Sequence, residues 1–320
     1  MVWVILYTIF GFYMLISGGN IVCKNANIVA LKAKVSQFII GMTLVAFSTS
    51  APELFTSLIA VAKNKPEMVI NNVIGSNFVN IGLAGGLVAL IRPFCVGEYV
   101  YKRDIPFLIF LTTILNIFCF SNSINCIHGC CFLLCGLAYT YYLARIQNRE
   151  DSENDELSEL SDEQQHIYIS IAIIKVFLGI AALIVGSNLV ISGCCNIARY
   201  LRISDELISF TLLAIGTSLP EIVTSLIAAI RGYGGICAGN ILGSNIFNIW
   251  MIVGLSALFK NLPSTEQLKY CDLPLSIGYT LIFGLFMYFS RIVTRQQGFC
   301  LLIIFIAIFA SLINLHLVYM

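Results

Sequence analysis

The stretch LVAFSTSAPELFTSLIA, residues 44–60, returns as LLAIGTSLPEIVTSLIA, residues 212–228. Setting Glu53 on Glu221 is an offset of 168 (221 − 53). Without a gap, that offset also sets Gly18 on Gly186, Asn20 on Asn188, Thr49 on Thr217, Pro52 on Pro220, Asn72 on Asn240, Gly75 on Gly243, Ser76 on Ser244, Asn77 on Asn245 and Asn80 on Asn248. Between residues 43–60 and 211–228, twelve of eighteen positions are identical. Chance does not produce this. The chain is a duplicated unit, and any fold must accommodate both copies.

The medium follows from composition. Of 320 residues, 58% are hydrophobic and only 11% charged, against about 25% charged in soluble domains. Such a chain cannot cover a water-facing surface and reads as an integral membrane protein. A span needs about 20 apolar residues. Runs fitting that length fall at 3–21, 38–61, 68–91, 105–120 and 127–143, and again at 167–190, 207–230, 236–259, 275–289 and 299–318. Between the sets lies the acidic QNREDSENDELSELSDEQQH, residues 147–166, expected to be a solvated linker. The first run lacks the charged flank and cleavage site of a signal peptide and is expected to be a retained span.

The expected fold is an all-α polytopic membrane protein of ten transmembrane helices. Residues 1–146 form one five-helix repeat, 147–166 the loop and 167–320 the second repeat. An odd number of spans per copy makes the second enter from the opposite side, giving inverted repeats of the kind found in secondary transporters.

Lys and Arg mark the expected orientation. With the N-terminus outside, inward loops hold Lys24, Lys32, Lys34, Arg92, Lys102, Arg103, Arg145, Arg149, Arg231, Arg291 and Arg295. Outward loops hold only Lys63, Lys65, Arg199, Arg202, Lys260 and Lys269. Both termini are then outside and the acidic loop is cytoplasmic.

Glu53 and Glu221 each fall near the middle of a span, where a charged carboxylate costs about 2.5–3.5 kcal/mol even on the permissive insertion scale. No Lys or Arg falls at that depth. A transported cation can supply the missing charge. Around the acids lie Thr49, Ser50, Thr56 and Ser57, and Thr217, Ser218, Thr224 and Ser225, with no His or Cys. An all-oxygen set suits Ca²⁺, Mg²⁺ or Na⁺. Spacings of four put Thr49 with Glu53, and Ser76 with Asn80, on one helix face. Pro52 and Pro220 cannot donate to the preceding turn, freeing carbonyls near Ser48 and Thr49 that need a protein-lined or wet cavity. Each Glu then opens a half-helix, where the dipole favours negative charge. A lone TSxPE could be only a kink, and Thr56 and Ser57 could be packing residues. Symmetric recurrence of the whole set argues against the kink.

Other classes fare worse. Cys126, Cys130, Cys131 and Cys135, near His128, could be imagined as a soft-metal site, but free Cys packs as a small hydrophobe. His128 and His166 lie outside the paired motifs and His316 lies near the C-terminus, so no enzyme is expected. With a net charge of +1 there is no basic cluster for nucleic acid, and the sequence is silent on oligomeric state.

GMTLVAFSTSAPELFTS with NNVIGSNFVNIG, and TLLAIGTSLPEIVTS with GNILGSNIFNIW, resemble the two α-repeats of the calcium/cation antiporter superfamily, closest to its sodium/calcium exchanger branch. The resemblance covers essentially the whole chain. It implies a prokaryotic-type exchanger in a bacterial or archaeal plasma membrane, with four cation sites between the repeats and no resident cofactor. Ca²⁺ would lie on Glu53 and Glu221 with the carbonyls of Thr49 and Thr217. Na⁺ would use the same acids with Ala46, Thr49, Ser50 and Ser76 on one side and Ala214, Thr217, Ser218 and Ser244 on the other. Asn80 and Asn248 would line the middle, and the first and sixth spans would slide as a gate. The family's usual three Na⁺ per Ca²⁺ would move one net charge.

Two departures bear on this. Some members carry Asp where this chain has Asn248, so the core here holds two carboxylates, which one Ca²⁺ balances. Ser48 replaces the usual glycine, retained as Gly216, and could alter a sodium site or back-bond to its helix. Coupling to H⁺ or K⁺, and a passive cation channel, remain alternatives to Na⁺/Ca²⁺ exchange.

Overall fold

Long apolar runs satisfy their backbone polar groups away from water by becoming helical. The computed structural model describes residues 2–95, 97–150, 167–201 and 214–318. The first copy comprises α1 (Val2–Ala33), α2 (Gln37–Thr49), α3 (Ala51–Ala62), α4 (Glu67–Ile91), β1 (Phe94–Cys95), α5 (Val100–Phe120), β2 (Ser123–Ile124) and α6 (Cys126–Glu150). The second comprises α7 (Ile169–Tyr200), α8 (Ala214–Thr217), α9 (Leu219–Ile230), α10 (Gly234–Phe259), β3 (Leu262–Pro263), α11 (Leu268–Ser290), β4 (Ile292–Val293) and α12 (Arg295–Val318).

Among the described residues, seven helices (α1, α4, α5, α6, α7, α10 and α11) are long and apolar enough to cross a membrane. The pair α2–α3, bent by 41° at its junction, makes an eighth if counted as one broken span. The protein is therefore a helical polytopic membrane protein. Of the remaining expected spans, α9 and the described part of α12 are apolar but shorter. Residues 207–213, which would complete the span of α9, lie outside the described residues.

Three expected boundaries are corrected. α1 and α7 each run for 32 residues, well past positions 21 and 190, because hydropathy marks where apolar surface ends and not where the helix ends. Polar residues in the extension of α1 find partners: Asn25 donates to the Ile21 carbonyl at 2.7 Å, and Asn27 accepts from Gln37 at 2.8 Å. α6 continues to Glu150, so residues 147–150 of the expected loop are helical. The rest of that loop, 151–166, and Arg202 lie outside the described residues.

Backbone close approach organises the packing. α1 and α7 cross antiparallel, Gly18 against Gly179 and Gly11 against Gly186. A Cβ on Gly18 would sit 2.6 Å from the Gly179 carbonyl oxygen. In a membrane, contact of this kind holds helices together where the hydrophobic effect does not. α10, the most buried long helix, lies against α2 in the same way, with a Cβ on Gly239 only 2.3 Å from the Phe38 oxygen. That approach carries the polar side chains of α10 to the end of α2.

Two small antiparallel ribbons tie the copies together. β1 pairs with β4, Phe94 opposite Val293, and β2 pairs with β3, Ile124 opposite Leu262. α5 leads from β1 to β2, whereas α11 leads from β3 to β4, so these corresponding helices run in opposite directions. At 1.5 Å per residue, α5 separates the ribbons by about 31 Å, the thickness of a bilayer's hydrocarbon core. Near the β1–β4 end, Arg92 lies against Gly232. At the β2–β3 end, Lys269 donates to Asn122.

Candidate cation site

The site is built where two helices break. α2 ends at Thr49 and α3 starts at Ala51, with Ser50 between them at φ −83°, ψ 6°. α8 ends at Thr217 and α9 starts at Leu219, with Ser218 at φ −88°, ψ 5°. Proline explains the position: Pro52 and Pro220 are each the second residue of the following helix, tolerated there because the missing N–H has no intrahelical partner to lose. Thr49 and Glu53 therefore belong to different helices, bent by 41° to one another, so a spacing of four does not by itself put them on one face. Glu53 and Glu221 sit in the first turns of α3 and α9, where exposed backbone N–H groups favour an anion.

Across the break the two copies exchange hydrogen bonds. Ser50 Oγ donates to Glu221 Oε1 at 3.0 Å, and Ser218 Oγ donates to Glu53 Oε1 at 3.2 Å. Both acids are 1% exposed. The second oxygen of each, Oε2, is buried with no hydrogen-bond partner among the described residues. Among the described residues, neither carboxylate forms an ion pair with a basic side chain. A buried acid so left is expensive, and further polar atoms of the paired motifs are in the same condition. Ser76 Oγ, Ser244 Oγ, Thr217 Oγ1, Asn248 Oδ1 and both polar atoms of Asn80 are buried and unpartnered.

Other expected residues are placed as follows. Thr49 Oγ1 donates to Asn240 Oδ1 at 3.1 Å and to the Ala46 carbonyl at 3.3 Å. That carbonyl also accepts from the Ser50 N–H at 3.0 Å, so two protein donors already occupy it. Ala214 is the first described residue of α8, and residues 202–213 before it lie outside the described residues. Ser48 back-bonds to the Leu44 carbonyl at 2.6 Å and is directed along its own helix. Asn80 and Asn248 stand at the start of π-helical turns, Val79–Gly85 and Asn248–Val253. Such wide turns recur at functional positions in helices.

Sequence reasoning paired Asn72 with Asn240 but assigned them no task. Asn72 Nδ2 donates to the Glu53 carbonyl at 3.4 Å and to Ser57 Oγ at 3.1 Å; Asn240 Nδ2 donates to the Glu221 carbonyl at 3.2 Å and to Ser225 Oγ at 2.9 Å. Each amide clamps the first turn that carries an acid. Ser57 and Ser225 thus act as struts. The only signal available beforehand was their place in the 168-residue register.

The cysteines take no part. Eleven of the twelve, all but Cys95, are free thiols, and Cys126, Cys130 and Cys131 are exposed on α6. His128 stacks on Phe118, its ring centroid 4.2 Å away. Among the described residues, no group of three His, Cys, Asp or Glu side chains could hold a metal ion.

Broken helices, paired buried acids and a hard-oxygen lining without a fixed counter-charge define a cation transporter of the secondary type. The comparisons carry this to a family. The sodium/calcium exchanger protein family matches residues 3–145 and 171–314, and the chain belongs to that family. It is a transporter and not an enzyme.

The sodium/calcium exchanger MaX1 of Methanosarcina acetivorans is 31% identical over 94% of this chain and 96% of its own. An uncharacterized membrane protein of Methanocaldococcus jannaschii is 33% identical over 96% and 97%. Among solved structures, the sodium-calcium exchanger NCX_Mj soaked with Na⁺ without Ca²⁺ superimposes with a TM-score of 0.84 at 31% identity. The match covers 98% of this chain and all of that one. The same exchanger soaked without either ion gives 0.83.

Proposed function

We propose that this protein exchanges Na⁺ for Ca²⁺ by alternating access, with Glu53 and Glu221 as ligands used by both ions in turn. The observation that carries the reading is the crossed pair of serine–carboxylate bonds, which leaves one oxygen of each acid buried, unpartnered and without an ion-paired basic side chain among the described residues. Around them Ser76, Ser244, Thr217, Asn80 and Asn248 contribute oxygens. Thr49, Ser50 and Ser218 serve through exchangeable hydroxyl bonds, and the carbonyls at the two breaks, including those of Ala46 and Ala214, complete the set.

Two formal negative charges match one Ca²⁺. Shared ligands make Ca²⁺ and Na⁺ mutually exclusive. An empty, doubly negative core is costly to pass through the apolar mid-membrane, so only loaded states reorient, and that makes exchange obligatory. Each net charge moved responds to voltage by about 2.3 kcal/mol per 100 mV.

The architecture proposed is ten spans in two inverted five-helix repeats, 1–146 and 167–320, joined by the acidic segment, with that segment cytoplasmic and both termini outside. The opposed directions of α5 and α11 support it, as do the crossed ribbons and the double family match. Loops expected on one side also meet one another: Arg92 with Gly232, and Lys260 with Asn64 at 2.5 Å. The antiparallel α1–α7 pair, joined backbone to backbone, is suited to slide as one gate.

Radiolabelled Ca²⁺ uptake into proteoliposomes, with Na⁺, K⁺ and H⁺ gradients imposed separately, tests the coupling. Uptake driven by Na⁺ alone is expected. A requirement for K⁺, uptake on a pH gradient without Na⁺, or flux with no counter-ion would each replace this reading.

A further inference from the structure

The GSN segments contribute a third side chain, Asn77 in α4 and Asn245 in α10, whose work differs between the copies. Asn77 Nδ2 donates to the Asn245 carbonyl at 3.4 Å, and Asn77 Oδ1 accepts from Asn248 Nδ2 at 3.0 Å. The direction of both amides follows from that one carbonyl. A carbonyl can only accept, so the Asn77 group facing it is its NH₂. The opposite end of Asn77 is then an oxygen, which also can only accept, so Asn248 must turn its own NH₂ toward it. What Asn248 has left is Oδ1, buried and without a partner among the described residues.

The corresponding position lacks this chain of bonds. Asn245 Nδ2 is used on the Ile241 carbonyl of its own helix at 2.9 Å, and both polar atoms of Asn80 are unpartnered. One mid-site amide is therefore held in a single sense while the other is free to turn. For a cation the sense matters: an amide oxygen attracts it, and the NH₂ of the same amide, turned by half a rotation, repels it.

We propose that Asn77 is a positioning residue that holds the Asn248 amide with its oxygen toward the transported cation and its nitrogen away. This rests on the reading that Asn248 lines the cation site. Asn77 itself contributes no ligand. It acts on Ca²⁺ only through Asn248, and its removal weakens binding without altering the rate of the loaded carrier.

The test compares Na⁺-driven Ca²⁺ uptake by proteoliposomes containing wild type, Asn77→Leu, Asn248→Asp, the double variant and Asn248→Ala. Loss of one net hydrogen bond that fixes a ligand raises the Ca²⁺ KM of Asn77→Leu about three- to tenfold, with the maximal rate within about twofold of wild type. A carboxylate at 248 presents oxygen in either sense. In the Asn248→Asp background, Asn77→Leu therefore shifts KM by less than about twofold. A packing defect would persist in that background, so an undiminished effect there overturns the proposal, as does a wild-type KM for Asn77→Leu. Unchanged KM in Asn248→Ala would overturn the site assignment beneath it; raised KM in that variant alone would overturn only the role of Asn77.

Discussion

Glu53→Gln replaces one of two buried acids by a neutral group of nearly the same shape, and it should move two observables in opposite directions. Without cations, it removes a charge that no basic side chain among the described residues offsets. At mid-membrane that charge costs about 2.5–3.5 kcal/mol, so in cation-free buffer the variant unfolds at the higher temperature. With Ca²⁺ the order reverses. Removing one partner of a buried charge pair costs about 3–5 kcal/mol, or about two to three and a half orders of magnitude in affinity.

A ligand that binds only the folded state stabilises by about 4.1 kcal/mol at a thousand times its Kd. At a Ca²⁺ concentration chosen to meet that condition for wild type, the variant keeps about 1 kcal/mol or less. Thermal unfolding in detergent, with and without Ca²⁺, reads both effects, and Na⁺-driven uptake should be lost in parallel. Glu221→Gln should behave alike, because the Ser50 and Ser218 bonds are reciprocal. A variant less stable than wild type without cations, yet fully stabilised by Ca²⁺, would refute the reasoning. Glu53 would then be a structural acceptor for Ser218 and no ligand.

Other expectations follow from the same geometry. Ser218→Ala and Ser50→Ala each remove a bond to a carboxylate, of the kind contributing about 1.5–3 kcal/mol; both should change apparent Na⁺ and Ca²⁺ affinities in uptake titrations. Asn240→Ala should lower transport more than Asn72→Ala, since only Asn240 also accepts from Thr49; initial rates at matched expression decide it. Ser48→Gly should leave both ion affinities within about twofold, because that hydroxyl is spent on Leu44. Gly18→Leu should abolish exchange by driving a side chain into Gly179, while isothermal titration still registers Ca²⁺ binding, because none of the proposed ligands is altered.

How much of this was legible beforehand differs residue by residue. The medium and the helical class were plain, because composition alone excludes a water-covered surface. The helix breaks at Ser50 and Ser218 were also legible, since the missing N–H of Pro52 and Pro220 is a covalent property that no packing can restore. The ends of α1 and α7 were not, because a helix can outrun its apolar stretch when Asn25 and Asn27 find partners. Nor was the division of Thr49 and Glu53 between two helices: a spacing of four implies a common face only while the helix continues straight.

What the amino-acid sequence determined by itself is therefore the set of parts: a duplicated apolar unit, two acids without a basic partner in their own spans, and a proline beside each. Those properties are covalent or summed along the chain. Only the tertiary structure decided which oxygens meet. Ser50 reaches the acid of the other copy, Asn240 reaches Thr49, and Asn77 accepts from Asn248, across sequence separations of 171, 191 and 171 residues. Such contacts depend on how closely α2, α4 and α10 approach. Glycine makes that approach possible, but only the packed bundle realises it.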